Sequence, residues 1–223
     1  MLRATSSGIL RAVKRPAPRL RIVTGKGGTG KTVVATALAL AEARRGRTTL
    51  LAEAHGQHRV AALLGCTPGG PEIMPVTPNL FAVDMDVQAA IREYALLVLR
   101  FEALYRAVFE NRVIRRFIRL IPSLGELVML GKLWYHEQET SEHGPRFDVI
   151  VFDAPATGHA LAMLRAPALV EHAVPPGPLR DITRNLQALL RDHARTAVHV
   201  VTTPEEMPVS EASDIAAAVL RLA

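Results

Sequence analysis

Eight consecutive residues carry the clearest chemistry in this 223-residue chain. Gly25-Lys26-Gly27-Gly28-Thr29-Gly30-Lys31-Thr32 fits the spacing G-x-x-x-x-G-K-T. Glycines so placed let backbone N–H groups turn inward around phosphate oxygens, and a helix starting at Lys31 adds the positive end of its dipole. Lys31 is then placed to meet β- and γ-phosphate oxygens, and the Thr32 hydroxyl to ligate Mg²⁺. The second reactive group is Asp153, which ends the apolar run Phe147 to Phe152. A carboxylate at the carboxyl end of a buried strand sits where open α/β sheets keep their ligand chemistry. Asp153 is read as holding Mg²⁺ directly or through its water, with a helix N-cap as the competing role.

These groups need a scaffold, and the chain supplies one. Leu20 to Thr24 reads as a buried first strand, Lys31 to Arg45 as a helix ended by Gly46, and Thr48 to Ala52 as a second strand. A strand, helix and strand so close together require a right-handed crossover and a parallel sheet. Further strands are expected at Leu80 to Val83, Phe147 to Phe152 and Ala197 to Thr202, with helices from Pro178 to Asp192 and Ser210 to Leu222. The fold class is therefore α/β, a mostly parallel sheet flanked by helices, in one domain spanning 1–223. At 49% hydrophobic residues the chain has material for one such core.

Two segments stand apart. Residues 1–19 form a basic, acid-free arm closed by Pro16 and Pro18. Arg3, Arg11, Lys14, Arg15, Arg19 and Arg21 are six of the 27 basic residues, and the rest of the chain balances 21 basic against 21 acidic side chains. The body is thus neutral, which argues against a nucleic-acid-binding face. Residues 87–140 read as a helical insertion. Val87, Ile91, Tyr94, Val98, Phe101, Tyr105 and Val108 step by four and three, a seam for a helix about 36 Å long. A basic amphipathic helix around Arg112 to Arg119 follows, and another helix begins at Leu124. These seams either bury one another or offer a groove to an apolar client or a second copy. No apolar run is long enough to span a bilayer, and the chain reads as cytoplasmic. Cys66 is the only cysteine, expected as a small core residue.

Lys26 makes the loop more specific. G-K-G-G-T-G-K-T resembles the deviant Walker A loop of the ArsA, MinD, ParA and nitrogenase-iron-protein group of P-loop NTPases. The segment Asp153-Ala154-Pro155-Ala156-Thr157-Gly158-His159 is similar to the D-T-A-P-T-G-H block of the ArsA branch. That branch covers arsenical-pump ATPases and ATPases that target tail-anchored membrane proteins. The resemblance implies an Mg²⁺-dependent ATPase that closes as a homodimer around ATP, with Lys26 reaching the partner's nucleotide. It implies that Pro155 and Gly158 belong to the segment that reports the γ-phosphate, and that the output is handling of an apolar client helix or drive for a membrane transport partner.

The chain departs from that pattern in two places. The family carries an aspartate after the second strand that positions the attacking water; here the segment reads Glu53-Ala54-His55-Gly56-Gln57-His58. Either Glu53 or His55 can accept the hydrogen bond required, and neither is the family residue. The resemblance also covers residues 20–223 and only about the first two-thirds of the family pattern, as though shortened at the C-terminus. A cysteine-cluster metalloid site is excluded by count. Two other functions remain open at this stage. One is a nucleotide-binding switch with little hydrolysis; the other is a positioning ATPase of the ParA or MinD kind.

Overall fold

Leu20–Gly25 forms β1, and its neighbours in the sheet are not its neighbours in the chain. The computed structural model describes residues 17–54, 58–67, 70–86, 124–142, 144–173 and 176–222. Helix α1 (Lys31–Arg44) leads from β1 to β2 (Thr49–Ala54), and a short α2 (Arg59–Leu64) follows. Strands β3 (Met74–Thr77) and β4 (Leu80–Met85) come next. Beyond the undescribed 87–123 stretch lie α3 (Leu124–Gln138) and the small β5–β6 pair (Thr140–Ser141 with Gly144–Pro145). The chain then runs through β7 (Val149–Asp153), α4 (Thr157–Ala173), α5 (Pro178–Arg191), β8 (Thr196–Val201) and α6 (Glu206–Leu222).

The six strands of the main sheet lie in the order β3-β4-β2-β7-β1-β8. All pairings are parallel except β3 with β4. Strand β7, late in the chain, is inserted between β1 and β2. This puts Asp153 beside Val23 on one side and beside Glu53 on the other, at the carboxyl edge where the winding direction changes.

Alternation along the strands sorts the core into two layers. Leu20, Ile22, Leu50, Ile150 and Phe152 pack with Met129, Leu130 and Leu133 of α3, Met163 of α4 and Leu186 of α5. Val23, Leu51, Val149 and Val151 face the other way, onto Ala35, Ala39 and Ala43 of α1. Small side chains at four-residue spacing bring α1 close to the sheet, so its first turn ends up over the strand ends that carry Gly25 and Asp153.

Several expectations change in physical detail. Between β2 and β4 the structure adds two elements that the sequence reading did not include: α2, and β3, an antiparallel edge strand at Pro75 whose prolines obscure it. The last helix, expected from Ser210, begins four residues earlier at Glu206. Cys66 is half-buried on a small cavity and is not a core residue. Arg19 and Arg21 are tied into the fold and do not belong to a free arm: Arg19 donates to the Phe147 carbonyl at 2.9 Å, and Arg21 to the buried Glu42 at 3.0 Å. Arg45 and Arg47 bind that same carboxylate at 2.7 and 2.8 Å. The rest of the arm (1–16) and the heptad seam at 87–108 lie outside the described residues. Of the proposed 87–140 insertion, α3 buries Leu127, Met129, Leu130 and Leu133 in the layer over the sheet.

Gly25 shows how closely the edge is built. Its φ is +148°, and a Cβ there would stand 2.0 Å from the Val201 carbonyl oxygen of β8. The obstruction is backbone, so β1 and β8 would have to separate. Gly25→Ala is expected to destabilise by on the order of 3 kcal/mol, or roughly 6–12 °C in thermal unfolding followed by circular dichroism for a domain of this size. Gly28→Ala, where φ is +87° but the space is open, is expected to lose only about 1 kcal/mol.

Candidate functional site

The glycine loop joins β1 to α1 and is stapled on one atom. The Lys26 carbonyl accepts from the Thr29 hydroxyl at 2.9 Å and from the Lys31 ammonium at 3.0 Å. Gly28 and Gly30 both have φ of +87°, the left-handed geometry that turns successive N–H groups to one side. Gly30 is the N-cap of α1 and has no side chain to close the helix end, so the loop's amides and the first turn remain available to an anion.

Beneath the loop, the Thr32 hydroxyl donates to Asp153 Oδ2 at 2.6 Å. Asp153 Oδ1 is buried and has no hydrogen-bond partner among the described residues. Burial pushes the Asp153 carboxyl above the ordinary aspartate range, while the Thr32 hydrogen bond and the Lys31 charge pull it down. Burial likewise lowers the Lys31 ammonium; Asp153 opposes that shift, and Arg59 adds to it. Asp153 is not a helix cap, since α4 begins four residues later at Thr157.

An unpartnered carboxylate oxygen beside a hydroxyl is a donor set of hard oxygens, the set that Mg²⁺ takes. The residues present therefore fit the cation implied by the loop. Around them opens a cavity of about 390 Å³, lined by Gly27, Gly28, Lys31, Thr32, Glu53, Arg59, Asp153, Pro155 and His159, among others.

The other expected site residues fall as follows. Glu53 lies at the level of Asp153 on the adjacent strand, and both its carboxylate oxygens are engaged. Oε1 accepts from the Arg59 N–H at 3.0 Å and Oε2 from the Val60 N–H at 3.1 Å. Burial raises its carboxyl, and those two backbone donors counter the rise. Glu53 is thus the anchor of α2. His55, the alternative water-positioning residue, lies outside the described residues. The Pro155 carbonyl accepts from Thr24 at 3.1 Å, tying the segment after β7 to the end of β1. Gly158 and His159 sit in the first turn of α4, with His159 largely exposed and its Nδ1 3.5 Å from Glu126.

Lys26 points along the surface. Its ammonium pairs with Glu211 of α6 at 2.8 Å, and the other oxygen of Glu211 accepts from the Thr157 hydroxyl at 3.0 Å. The Lys26 contact holds the Glu211 carboxyl below its ordinary range; burial opposes it, and the Thr157 hydrogen bond adds to the lowering. Sequence reasoning missed Glu211 and Arg59, and quoted Thr157 only as part of the 153–159 block without a role. No local pattern marks Glu211 or Arg59; the fold alone brings them near the loop. The one usable signal was that α2 begins on an arginine soon after a strand carrying a carboxylate.

Among the described residues no helix is long and apolar enough to cross a membrane, and no group of three or more His, Cys, Asp or Glu side chains forms a metal cluster. Comparison with known proteins bears directly on the loop and on the Asp153 segment. The chain is 31% identical to ATPase BagA of Mycobacterium tuberculosis over 199 residues, covering 86% of this chain and 58% of that protein. It is 25% identical to ATPase ASNA1 homolog 2 of Paramecium tetraurelia over 160 residues (71% and 47%). It is 27% identical to ATPase get3 of Schizosaccharomyces japonicus over 154 residues (68% and 45%). The chain thus spans about half the length of the curated relatives it matches. A family model described as anion-transporting ATPase matches residues 19–175, from the start of β1 past the end of α4, and so takes in the glycine loop, Thr32, Asp153 and the Pro155–His159 turn; the chain belongs to this ArsA-type ATPase family.

Proposed function

We propose that this chain binds ATP with Mg²⁺ and hydrolyses it, closing with a second copy of itself as it does so. The observation that carries the reading is the Thr32–Asp153 pair at 2.6 Å, with a buried Asp153 oxygen left over, directly under a glycine loop that presents Lys31. Thr32 and Asp153 would hold Mg²⁺, which supplies charge neutralisation at the β- and γ-phosphate oxygens. The loop amides and Lys31 bind and orient the phosphates. Pro155, Ala156 and, from the first turn of α4, His159 line the same cavity, and Gly158 lies between them in the chain, where a γ-phosphate would press on this segment. Lys26 leaves Glu211 on closure and approaches the partner's nucleotide. The family resemblance supports an output directed at an apolar client helix or a membrane transport partner.

A second reading, a nucleotide switch with slow turnover, is favoured by one specific feature. Glu53 spends both oxygens on α2, so no described carboxylate at that strand end is free to orient water. Turnover then depends on His55 or on release of Glu53. A single-turnover assay separates the two readings: nucleotide that persists for hours in a closed dimer favours the switch.

Lys31→Ala is expected to lower affinity for MgATP by about 10²-fold or more, read by calorimetry. Unchanged binding and turnover in this variant would remove the proposal. Asp153→Asn is expected to abolish the Mg²⁺ dependence of binding while raising the unfolding midpoint without nucleotide by roughly 2–4 °C, equivalent to about 1 kcal/mol. The sign follows from the raised carboxyl. Its protonated form is favoured in the fold, so this group's contribution to stability is present at low pH and is lost as pH rises through the raised titration point. Asn removes that slope, which a pH series of melts checks. Glu211→Ala frees Lys26 and is expected to shift the monomer–dimer balance with MgATP toward dimer, measured by analytical ultracentrifugation. Lys26→Ala is expected to shift it toward monomer.

A further inference from the structure

Arg59 is the one cation at the cavity that neither the glycine-loop motif nor the family match accounts for. It is the first residue of α2, and its side chain lines the cavity together with Lys31, Thr32 and Asp153. Its charge is felt at both Lys31 and Asp153, the two charged groups with which it shares the cavity. Among the described residues the guanidinium forms no ion pair and no hydrogen bond.

The backbone that carries this side chain is held with unusual care for a surface helix. Glu53 stands in register with Asp153 on one side and with Asp84 on the other, a row of three carboxylates across β7, β2 and β4. Glu53 accepts the Arg59 N–H at 3.0 Å. Asp84 meets Nδ1 of His58 at 2.8 Å. His58 itself has φ of +52°, the only described residue other than glycine with positive φ. A left-handed histidine persists only where its surroundings over-determine it, and such strain gathers at functional positions. Glu53 fixes the backbone of residues 59 and 60, and Asp84 meets the side chain of His58 just before them, so the start of α2 that carries Arg59 is held from the sheet edge.

We propose that Arg59 contacts the γ-phosphate in cis and sets the preference of the site for a nucleoside triphosphate over a diphosphate. The inference rests on the nucleotide-binding reading above. The chemistry is that of a planar guanidinium presenting several donors to phosphate oxygens, a geometry that lysine does not reproduce. Lys31 lies on the loop side of the cavity and Arg59 on the α2 side, so a terminal phosphate would meet both, and Thr32 and Asp153 would hold the cation. A diphosphate is held by the loop and does not reach Arg59. The anchoring of α2 uses backbone N–H groups, so replacing the Arg59 side chain leaves that anchoring in place.

The test is calorimetric titration of the full chain with Mg–ATPγS and with Mg–ADP, for the unmodified protein and for Arg59→Ala, Arg59→Gln and Arg59→Lys. For Arg59→Ala and Arg59→Gln, affinity for ATPγS is expected to fall about 10-fold or more, with ADP affinity within about twofold of the original. Arg59→Lys recovers part of the difference. Thermal midpoints without nucleotide stay within about 2 °C, since no bond from the side chain to the fold is removed. Equal effects on the two nucleotides, or none, overturn the inference while leaving nucleotide binding intact. An unmodified chain that binds neither nucleotide overturns both the reading and the inference.

Discussion

Three carboxylates stand side by side on neighbouring strands at the carboxyl edge of the sheet, and much of the site follows from how their repulsion is relieved. Asp153, Glu53 and Asp84 share one level on β7, β2 and β4, all buried. Adjacent parallel strands lie about 4.8 Å apart, and like charges at that separation in a poorly solvated edge oppose one another and raise the carboxyl groups. Both neighbours push the Glu53 carboxyl up, in addition to burial. Each acid must therefore find donors. Glu53 takes the first two N–H groups of α2, and Asp84 takes His58. Asp153 takes the Thr32 hydroxyl on one oxygen and keeps the other without a donor. Glu53 positions backbone, Asp84 meets a histidine side chain, and Asp153, lying under the loop, keeps one oxygen without a hydrogen-bond donor among the described residues.

The loop above obeys a complementary constraint. It must bring amides inward without side chains in the way, and it must keep Lys31 near a charge that does not consume it. The Lys31 ammonium rests on the Lys26 carbonyl, a neutral acceptor, rather than in a direct ion pair with Asp153. A direct pair between Lys31 and Asp153 would satisfy both groups and leave neither for a ligand. Thr32, interposed between them, spends one Asp153 oxygen on a hydroxyl that is itself a ligand for a hard cation. Phosphate and cation positions are thereby adjacent but not mutually cancelled.

How much of this the amino-acid order discloses depends on the range of each interaction. The glycine loop is legible because its chemistry is local: Gly25, Gly28 and Gly30 have the backbone angles that only their residue type adopts freely. The Asp153 edge is legible because a buried parallel strand is a continuous apolar run and its terminal acid breaks it. Strand β3 was hidden because an edge strand tolerates prolines that a central strand excludes. Helix α2 was hidden because six residues are too few for a helical period to show; Glu53 at the end of β2 stabilises it instead of propensity. Glu53 itself was half legible: its place beside Asp153 follows from the strand register, whereas the use of both its oxygens by α2 does not. Arg19 and Arg21 read as tail because charge runs look alike in sequence, yet Arg21 is fixed by Glu42, a residue on the far side of α1 whose burial no composition argument could have foreseen.

The contrast between two ion pairs explains how a rigid edge can still change state. Glu42 is buried and pairs with three arginines, of which Arg21 is buried with it, so removing Glu42 would leave Arg21 without its partner, and the Arg21–Glu42 pair serves as a fixed rivet between β1 and α1. The Lys26–Glu211 pair is different in kind. Both side chains are about one-third exposed, water competes for each, and the pair is readily exchanged for another. Yet it lies at a junction: through Thr157 the same carboxylate also touches the first residue of α4, the helix that starts just beyond Asp153. A ligand shifts a conformational balance only through contacts that differ between the two states. On the proposed reading, a phosphate at the glycine loop would compete for Lys26 and Thr157, the groups that Glu211 now joins, against a contact weak enough to yield. Strong pairs hold the frame on which the strand ends are registered, and a weak one joins the loop, the first residue of α4 and the last helix. On the proposed reading, that division is what would let a bound phosphate be felt beyond the loop.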